Sequence, residues 1–500
     1  MSVPSCSRAD IARALESSAA VVARVSRAAR LGAVVLLIGL QSAHGETLRD
    51  ALLRAYQANP TLNAQRTSVL AIGENLPRAQ AGYRPKVNLT SDIGHYSEAD
   101  HYADGTRYGL VTNPRGVGLT LTQNVFDGFR TANSVRQAKS QISEARAATL
   151  RIEQDTLFAA VSAYMDVLAD TAILDRVRRS TVALREQLRL ARDRHGFGEV
   201  TKTDVAQVES RLAGAQAQGN VAEANLRTSI AKYRQVVGID PSQLSPARSV
   251  EQLVPHTLDD TIKIALAENP AIHSASFGVN AAALQVDIVR GERLPTVTLS
   301  GLLSRRHDVT YRGDEQTSGS VVGRISIPLY EGGDIAARTS QAKHLASQRA
   351  LEMDAIRDQV RAAAASSWGE FQAAKERAAN AQQQLRAAET ALTGMREQWS
   401  AGDRTMREVL DAEQEFLTAE VNLIVAQRDR IVASYAIARV IGKLTLSSLD
   451  GFPLTATGDR VFNAHRMPPN SKAAETRDRA TCRSDCSKFA ADWTLRRKTR

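Results

Sequence analysis

The sequence repeats itself, and the repeat keeps its register. Residues 47–89 match 257–299 at a constant offset of 210, so that Thr47-Leu48 falls on Thr257-Leu258 and Asn59-Pro60 on Asn269-Pro270. Ala71, Pro85 and Val87 fall likewise on Ala281, Pro295 and Val297. Six residues are then lost and the match resumes at an offset of 204. Phe126-Asp127-Gly128 pairs with Tyr330-Glu331-Gly332, Gln137-Ala138-Lys139 with Gln341-Ala342-Lys343, Glu209 with Glu413, and Gly238 with Gly442. An ordinary duplicated domain gathers insertions in its loops. Here the one length change lies in a polar, Gly-rich stretch, as expected of long rigid elements that must stay level with one another. The pattern defines a first repeat over 46–238, a linker over 239–256 and a second repeat over 257–450.

Residues 131–195 contain neither Pro nor Gly and are rich in good helix formers. Val135, Ala138, Ile142, Ala145, Thr149, Ile152, Thr156, Ala159 and Ala163 recur at alternating steps of three and four. After a shift the stripe resumes at Leu174, Val177, Thr181, Leu184, Leu188 and Ala191. That is a heptad seam, so this helix lies along others of its kind. At 1.5 Å per residue it reaches roughly 98 Å, about three times the thickness of a bilayer core. The spacing predicts a break at Gly196-Phe197-Gly198 and a return helix from Thr201 to Val237. The second copy predicts a helix from Asp334, a break at Ser400-Ala401-Gly402 and a return from Thr405 to Ile441. Each repeat also opens on a helix, from Leu48 to about Gly82 and from Leu258 to about Arg293, bent at its Asn-Pro.

Between the first and the long helix of each copy lie two segments of period-two alternation. Val87, Leu89 and Ile93 alternate with polar residues, as do Val117, Leu119, Leu121 and Val125. The second copy has Thr296 to Ser304 and Ser320 to Leu329, with Val321, Ile325 and Ile327 on one face. Each is about the length of a tilted strand crossing a bilayer. The connections, 97–115 and 305–319, read as polar surface loops. Four strands cannot close a barrel, and an open edge cannot face lipid. If the apolar faces meet lipid, several chains must share one sheet, and three would supply twelve strands.

The net charge of +10 invites a nucleic-acid reading. However, residues 1–45 carry a net of +3 and residues 460–500 a net of +7, leaving the repeated body neutral. No basic groove is available for nucleic acid. Arg24, Arg27 and Arg30 precede the apolar run Leu31–Leu40, and Ala43-His44-Gly45 puts small residues at −3 and −1 of a cleavage site. This is a secretory signal peptide over 1–45, and the mature chain is expected to begin near Glu46. No Cys stands there to carry a lipid. Cys482 and Cys486 fall in the tail, 459–500, which reads as disordered.

With its duplicated helix–strand–strand–helix order, the sequence resembles the TolC-type outer membrane efflux proteins over about residues 46–450. The Asn-Pro bends, Pro85 and Pro295, and Phe126-Asp127-Gly128 with Tyr330-Glu331-Gly332-Gly333 carry the resemblance. So do the turn segments 197–205 and 401–412. It implies a mainly α fold with a small β part, a trimeric channel-tunnel. A twelve-stranded barrel in the outer membrane, four strands per protomer, would stand on a coiled-coil α-barrel crossing the periplasm. The partners implied are two further copies, a periplasmic adaptor protein, and an inner-membrane ABC or proton-driven transporter, with no cofactor. The turns Gly196-Phe197-Gly198 and Ala401-Gly402 would dock on the adaptor. The missing lipidation Cys is closer to the type I secretion branch.

Glu408 and Asp411, spaced i, i+3, share a helix face. The resemblance implies that they line the narrowest point of the lumen, select cations, and form a six-carboxylate ring in a trimer. Repulsion in such a ring is expected to raise their pKa values, and multivalent cations to plug it. It also implies a latch at the tip in which Asp204, beside Thr203, bonds to Arg404 and to Trp399 on neighbouring coils. Trp399 can donate through its indole nitrogen but not accept. The nine His are scattered, with no paired metal spacing and no phosphate-cradling Gly loop, so no catalysis, cofactor or metal is expected. The competing reading is a periplasmic coiled-coil adaptor or spacer, although no lipoyl-like segment is visible.

Overall fold

The computed structural model describes residues 46–448. The expected signal peptide and tail lie outside the described residues. The chain up to Leu444 groups as one compact unit, while the few described residues from Thr445 onward belong to another.

The first repeat opens with α1 (Leu48–Ala58), α2 (Pro60–Gly73) and α3 (Asn75–Gln80). One bent helix to Gly82 was expected; the chain instead breaks twice. At the first break the Asn59 side chain accepts from the amides of Thr61 and Leu62, so the bend at Pro60 is also a cap. Strands β1 (Lys86–Ile93), β2 (Tyr96–His101), β3 (Arg107–Thr112) and β4 (Arg115–Phe126) follow. Then come α4 (Arg130–Gly196) and the return helix α5 (Lys202–Val237). The second repeat gives α6 (Leu258–Glu268), α7 (Pro270–Gly291), β5 (Thr296–His307), β6 (Glu315–Ser326), α8 (Asp334–Ser400) and α9 (Met406–Val440). Asn269 caps α7 as Asn59 caps α2. The Asn59 amide reaches the Val236 carbonyl at 3.2 Å, and the Asn269 amide the Val440 carbonyl at 2.8 Å. Each return helix therefore ends against the Asn-Pro bend of its own repeat.

The seam read from the heptads is the buried one. Leu174, Val177, Thr181, Leu184, Leu188 and Ala191 are all buried, as are Ala138, Ala145, Thr149, Thr156 and Ala163. Small residues let α4 lie close to α5, α7 and α9. An 18-residue window of α4 has a mean hydropathy of 1.6 and is half buried against its neighbours, which suits the central helix of a bundle. Glu46 is clamped where this bundle meets the linker. Tyr164 donates its hydroxyl to the Glu46 and Ser245 carbonyls at 2.8 and 2.6 Å, and Tyr233 donates to the Glu46 carboxylate at 2.8 Å. Burial pushes the Tyr164 phenol up to about 12 and raises that of Tyr233, so both remain donors.

The four-stranded sheet runs β1-β4-β5-β6, antiparallel throughout. Its registers place Val87 opposite Leu121, Leu89 opposite Leu119, Leu119 opposite Leu303, and Gly301 opposite Val321. Side chains alternate across a sheet, so these residues share one face with Val117, Leu299 and Ile325. Asn88, Thr90, Asp92, Thr120, Thr122, Ser300, Ser304, Ser318 and Arg324 share the other. Both faces are open: Leu89 is 76% exposed on the first, and Asn88, Thr90 and Asp92 are exposed on the second. The expected surface loops are more ordered than the sequence implied. β2 and β3 pair as a separate hairpin over 96–112, and β5 and β6 run so far that only 308–314 remains as a turn. In 96–101 one face carries Tyr96, Glu98 and Asp100 and the other Ser97, Ala99 and His101, so neither is apolar, which hid the strand from a hydrophobic pattern.

At the helix end of the sheet, Gly128 approaches the last turn of α7. With φ of 69° it takes a conformation that favours glycine, and a Cβ there would lie 2.2 Å from the Gly291 carbonyl oxygen. Phe129 follows at φ 64°, where the second repeat has Gly333 at 89°. Its ring meets Phe126 edge to face at 5.2 Å, a contact that offsets part of the backbone strain.

Candidate functional site at the hairpin turns

Helices α4/α5 and α8/α9 form two hairpins of equal length whose turns lie at the end remote from the sheet. In the first turn α4 ends at Gly196, Phe197 projects 82% exposed, and Gly198 takes φ of 78°. The Gly198 amide donates to His195 and that of Glu199 to Arg194, which closes the last carbonyls of α4. The second turn repeats this at Ala401 and Gly402, with Gly402 at φ 88° donating to Trp399, and Asp403 to Gln398. Both turns are exposed.

The return helices start with the same device. Thr201 and Asp204 form a capping box at the head of α5, and Thr405 and Glu408 form one at the head of α9. Since 204 separates the copies at this point, Asp204 and Glu408 are one position seen twice. The resemblance implied different tasks for them; within the chain each holds its own helix start. Glu408 also pairs with Arg404 at 2.7 Å. The Thr405 amide, followed by the Arg404 and Thr405 side chains, holds the Glu408 carboxyl down at about 2. The expected upward shift is thus reversed within the protomer, because bonds from donors outweigh burial at this exposed site. Asp204 is likewise lowered by the Thr201 hydroxyl and amide.

The latch expected between Asp204, Arg404 and Trp399 does not form within the chain. Arg404 turns to Gln398 at 3.0 Å and to Glu408. Thr203 lies exposed on the first turn of α5. Trp399 packs on the cluster of Leu184, Leu188, Val208, Met406 and Leu410, with the Arg194 guanidinium 4.8 Å from its ring centre. Trp399 thus joins the two hairpins by stacking, which its single donor does not limit.

Other residues make the polar links between the hairpins. Arg211 on α5 pairs with Asp411 on α9, and Asp411 also faces Arg407 at 3.9 Å. Gln187 donates to Glu413 at 2.7 Å and Arg176 meets Glu420 at 3.0 Å. Within each hairpin the copies agree again: Arg192 pairs with Glu209 at 2.6 Å and Arg396 with Glu413 at 2.8 Å. The repeated Glu209 and Glu413 were visible in the sequence. Their basic partners, one helix away, could have been found by applying the same offset to Arg192 and Arg396. Arg211 has no such signal, since its counterpart is Glu415.

Comparison with known proteins agrees with this architecture. The family model described as outer membrane efflux protein matches residues 51–238 and 261–443. The outer membrane efflux protein BepC of Brucella suis is 36% identical over 427 residues, covering 84% of this chain and 91% of BepC. Protein CyaE of Bordetella pertussis is 27% identical, covering 81% and 86%. A crystal structure of a membrane protein from Pseudomonas aeruginosa superposes with a TM-score of 0.71 at 16% identity, over 79% of this chain and 93% of that one. The mainly α fold with a small sheet is the fold of these neighbours. The chain therefore belongs to the outer membrane efflux protein family, and is an outer membrane channel component of tripartite efflux or type I secretion.

Proposed function

We propose that three copies of this chain form one passive conduit from the periplasm to the exterior, gated at the hairpin turns. The observation that carries this reading is the sheet. Its register gathers Val87, Leu89, Leu119, Leu121, Leu303 and Val321 on one face and mostly polar side chains on the other, where Leu302 and Val322 are exceptions, and leaves β1 and β6 as outer edges. A sheet with an apolar outer face has no stable place in lipid until its edges are paired. Four strands per chain make three copies a twelve-stranded wall, with the polar face lining water. The repeats are taken as 46–238 and 257–450, and α4 and α8, each of 67 residues, extend about 100 Å into the periplasm.

The turns at Gly196-Phe197-Gly198 and Ala401-Gly402 dock on a periplasmic adaptor, and an inner-membrane ABC or proton-driven transporter supplies the energy. Phe197 is the apolar anchor of that contact. Glu408 and Asp411 make the constriction ring. The latch is assigned to Arg211 with Asp411, supported by Gln187 with Glu413 and by Arg194 on Trp399, in place of Asp204 with Arg404. We assign no catalysis to the chain.

Arg211→Ser releases Asp411 while leaving both ring carboxylates in place. In planar bilayers its conductance is expected to rise several-fold over the parent, since a freed hairpin dilates the narrowest section. Unchanged conductance would remove the latch assignment.

A further inference from the structure

We infer that the groove where α4 and α5 of the first hairpin meet α9 of the second binds a small protonated amine with an apolar body, its ammonium held by Asp170. The site goes beyond the conduit reading, and every residue of it belongs to one chain.

Asp170 stands where the heptad seam calls for an apolar residue. Steps of four and three from Ala163 lead through Val167, Asp170, Leu174 and Val177. The others are buried in the seam, and Asp170 is half-buried among them. At the repeat offset of 204 its counterpart is Ala374, buried on α8. The Ser229 hydroxyl on α5 donates to the Asp170 carboxylate, and the counterpart of Ser229 is Ala433. The first hairpin therefore carries an acid and a hydroxyl where the second carries two alanines. A carboxylate taken partly out of water is costly unless a cation or several donors meet it. A hydroxyl, with one proton to give, meets that need only in part.

A cavity of about 460 Å³ opens beside this carboxylate, a volume typical of small-molecule sites. Ile173 from α4, Val221 from α5, and Leu417 and Val421 from α9 give it apolar walls, and Asn225 adds an amide. Among the described residues that line it, Asp170 alone is charged. Nearby ionic groups on α4 are spent on α9: Asp166 pairs with Arg428, and Arg176 with Glu420 at 3.0 Å.

The second hairpin shows the same place when the chain supplies the cation itself. Ile173 and Asn225 have Arg377 and Asp429 as counterparts. These two pair at 3.4 Å, and Asp429 also meets Arg428 at 2.7 Å. The cavity they line is smaller, about 300 Å³. Val221 is 61% exposed, while its counterpart Val425 is 39% exposed. In the first hairpin Ile173 stands where that cation would be, and Asp170 supplies the anion. The positive charge is left to a ligand.

The chemistry of the groove fixes the ligand class. An ammonium gives the carboxylate a charge-assisted hydrogen bond, and an apolar body covers Val221 and its neighbours. An anion is repelled, and a neutral molecule gains the walls alone. An amine so placed touches α4, α5 and α9 at once, and so bridges the two hairpins.

The test is equilibrium dialysis of the detergent-solubilised protein against the same detergent solution, with 1-naphthylmethylamine, protonated at pH 7, as the probe. One saturable site per chain is expected. The neutral isostere 1-naphthylmethanol is expected to bind at least about 10-fold more weakly, because the charge-assisted hydrogen bond is lost. Asp170→Asn keeps the shape of the groove and is expected to weaken the amine by a similar factor while leaving the alcohol unchanged. Ile173→Arg with Asn225→Asp rebuilds the ion pair of the second hairpin in the first, and is expected to abolish the site for both probes. Amine binding that survives Asp170→Asn, or equal binding of amine and alcohol, would overturn the assignment. So would the absence of a saturable site in the parent protein.

Discussion

Replacing Glu408 by Gln and Asp411 by Asn together is expected to weaken block by a trivalent cation at least about 100-fold, because the six carboxylates of the ring become none. The dependence on pH separates two accounts of the ring. If mutual repulsion dominated, the carboxyls would begin to take up protons as pH fell toward 5, and block would fade. The bonds from Thr405 and Arg404 instead hold Glu408 at about 2, below its ordinary value. A group lowered in this way stays ionised above its folded pKa, so in Asp411→Asn protein the block that Glu408 sustains at pH 5 is expected to equal that at pH 7. Conductance of single channels titrated with the cation at both pH values measures this. Fading block in the Asp411→Asn protein would return Glu408 to the repulsion account, and block that survives both substitutions would remove these residues from the constriction.

Gly128→Ala is expected to be the most damaging added methyl among the described glycines. The left-handed backbone alone costs about 1–2 kcal/mol for an L side chain. The clash of the new Cβ with the Gly291 carbonyl oxygen, at 2.2 Å, adds roughly 1–3 kcal/mol of overpacking where backbone faces backbone. A loss of about 2–5 kcal/mol should appear as a large fall in the thermal midpoint and in the yield of folded oligomer. Gly73→Ala is the control, since nothing lies within 4 Å of its position and its φ is ordinary; it should change little. A Gly128→Ala protein as stable as the control would mean the two halves do not approach as closely as described.

Long-range order was legible in the sequence where one residue type does one thing. The heptad seam of α4 is buried at most of the positions that spacing named, with Val135, Ile142, Ile152 and Ala159 half-buried, because apolar residues at that spacing meet the neighbouring helices. The turns were legible because Gly198 and Gly402 adopt positive φ, which few other residues tolerate. Strands β2 and β3 were not, since they carry charges on both faces and lack an apolar side to announce them. The tip was legible in its membership but not in its pairing. Asp204, Glu408, Arg404 and Trp399 all stand near the turns. An acid three residues after a Thr at a helix start is drawn to the amide beside it, and within one chain that local bond is the one Asp204 and Glu408 form. Arg211, which the sequence did not single out, reaches across to Asp411 because α5 and α9 lie side by side.

The claim beneath all of this is that one chain supplies a third of a closed wall whose outer face meets lipid. The number of chains per particle in the detergent-solubilised mature protein, read by light scattering, tests it most directly. Three chains per particle is the predicted result. A stable particle of one chain would leave the edges of β1 and β6 open and contradict the account.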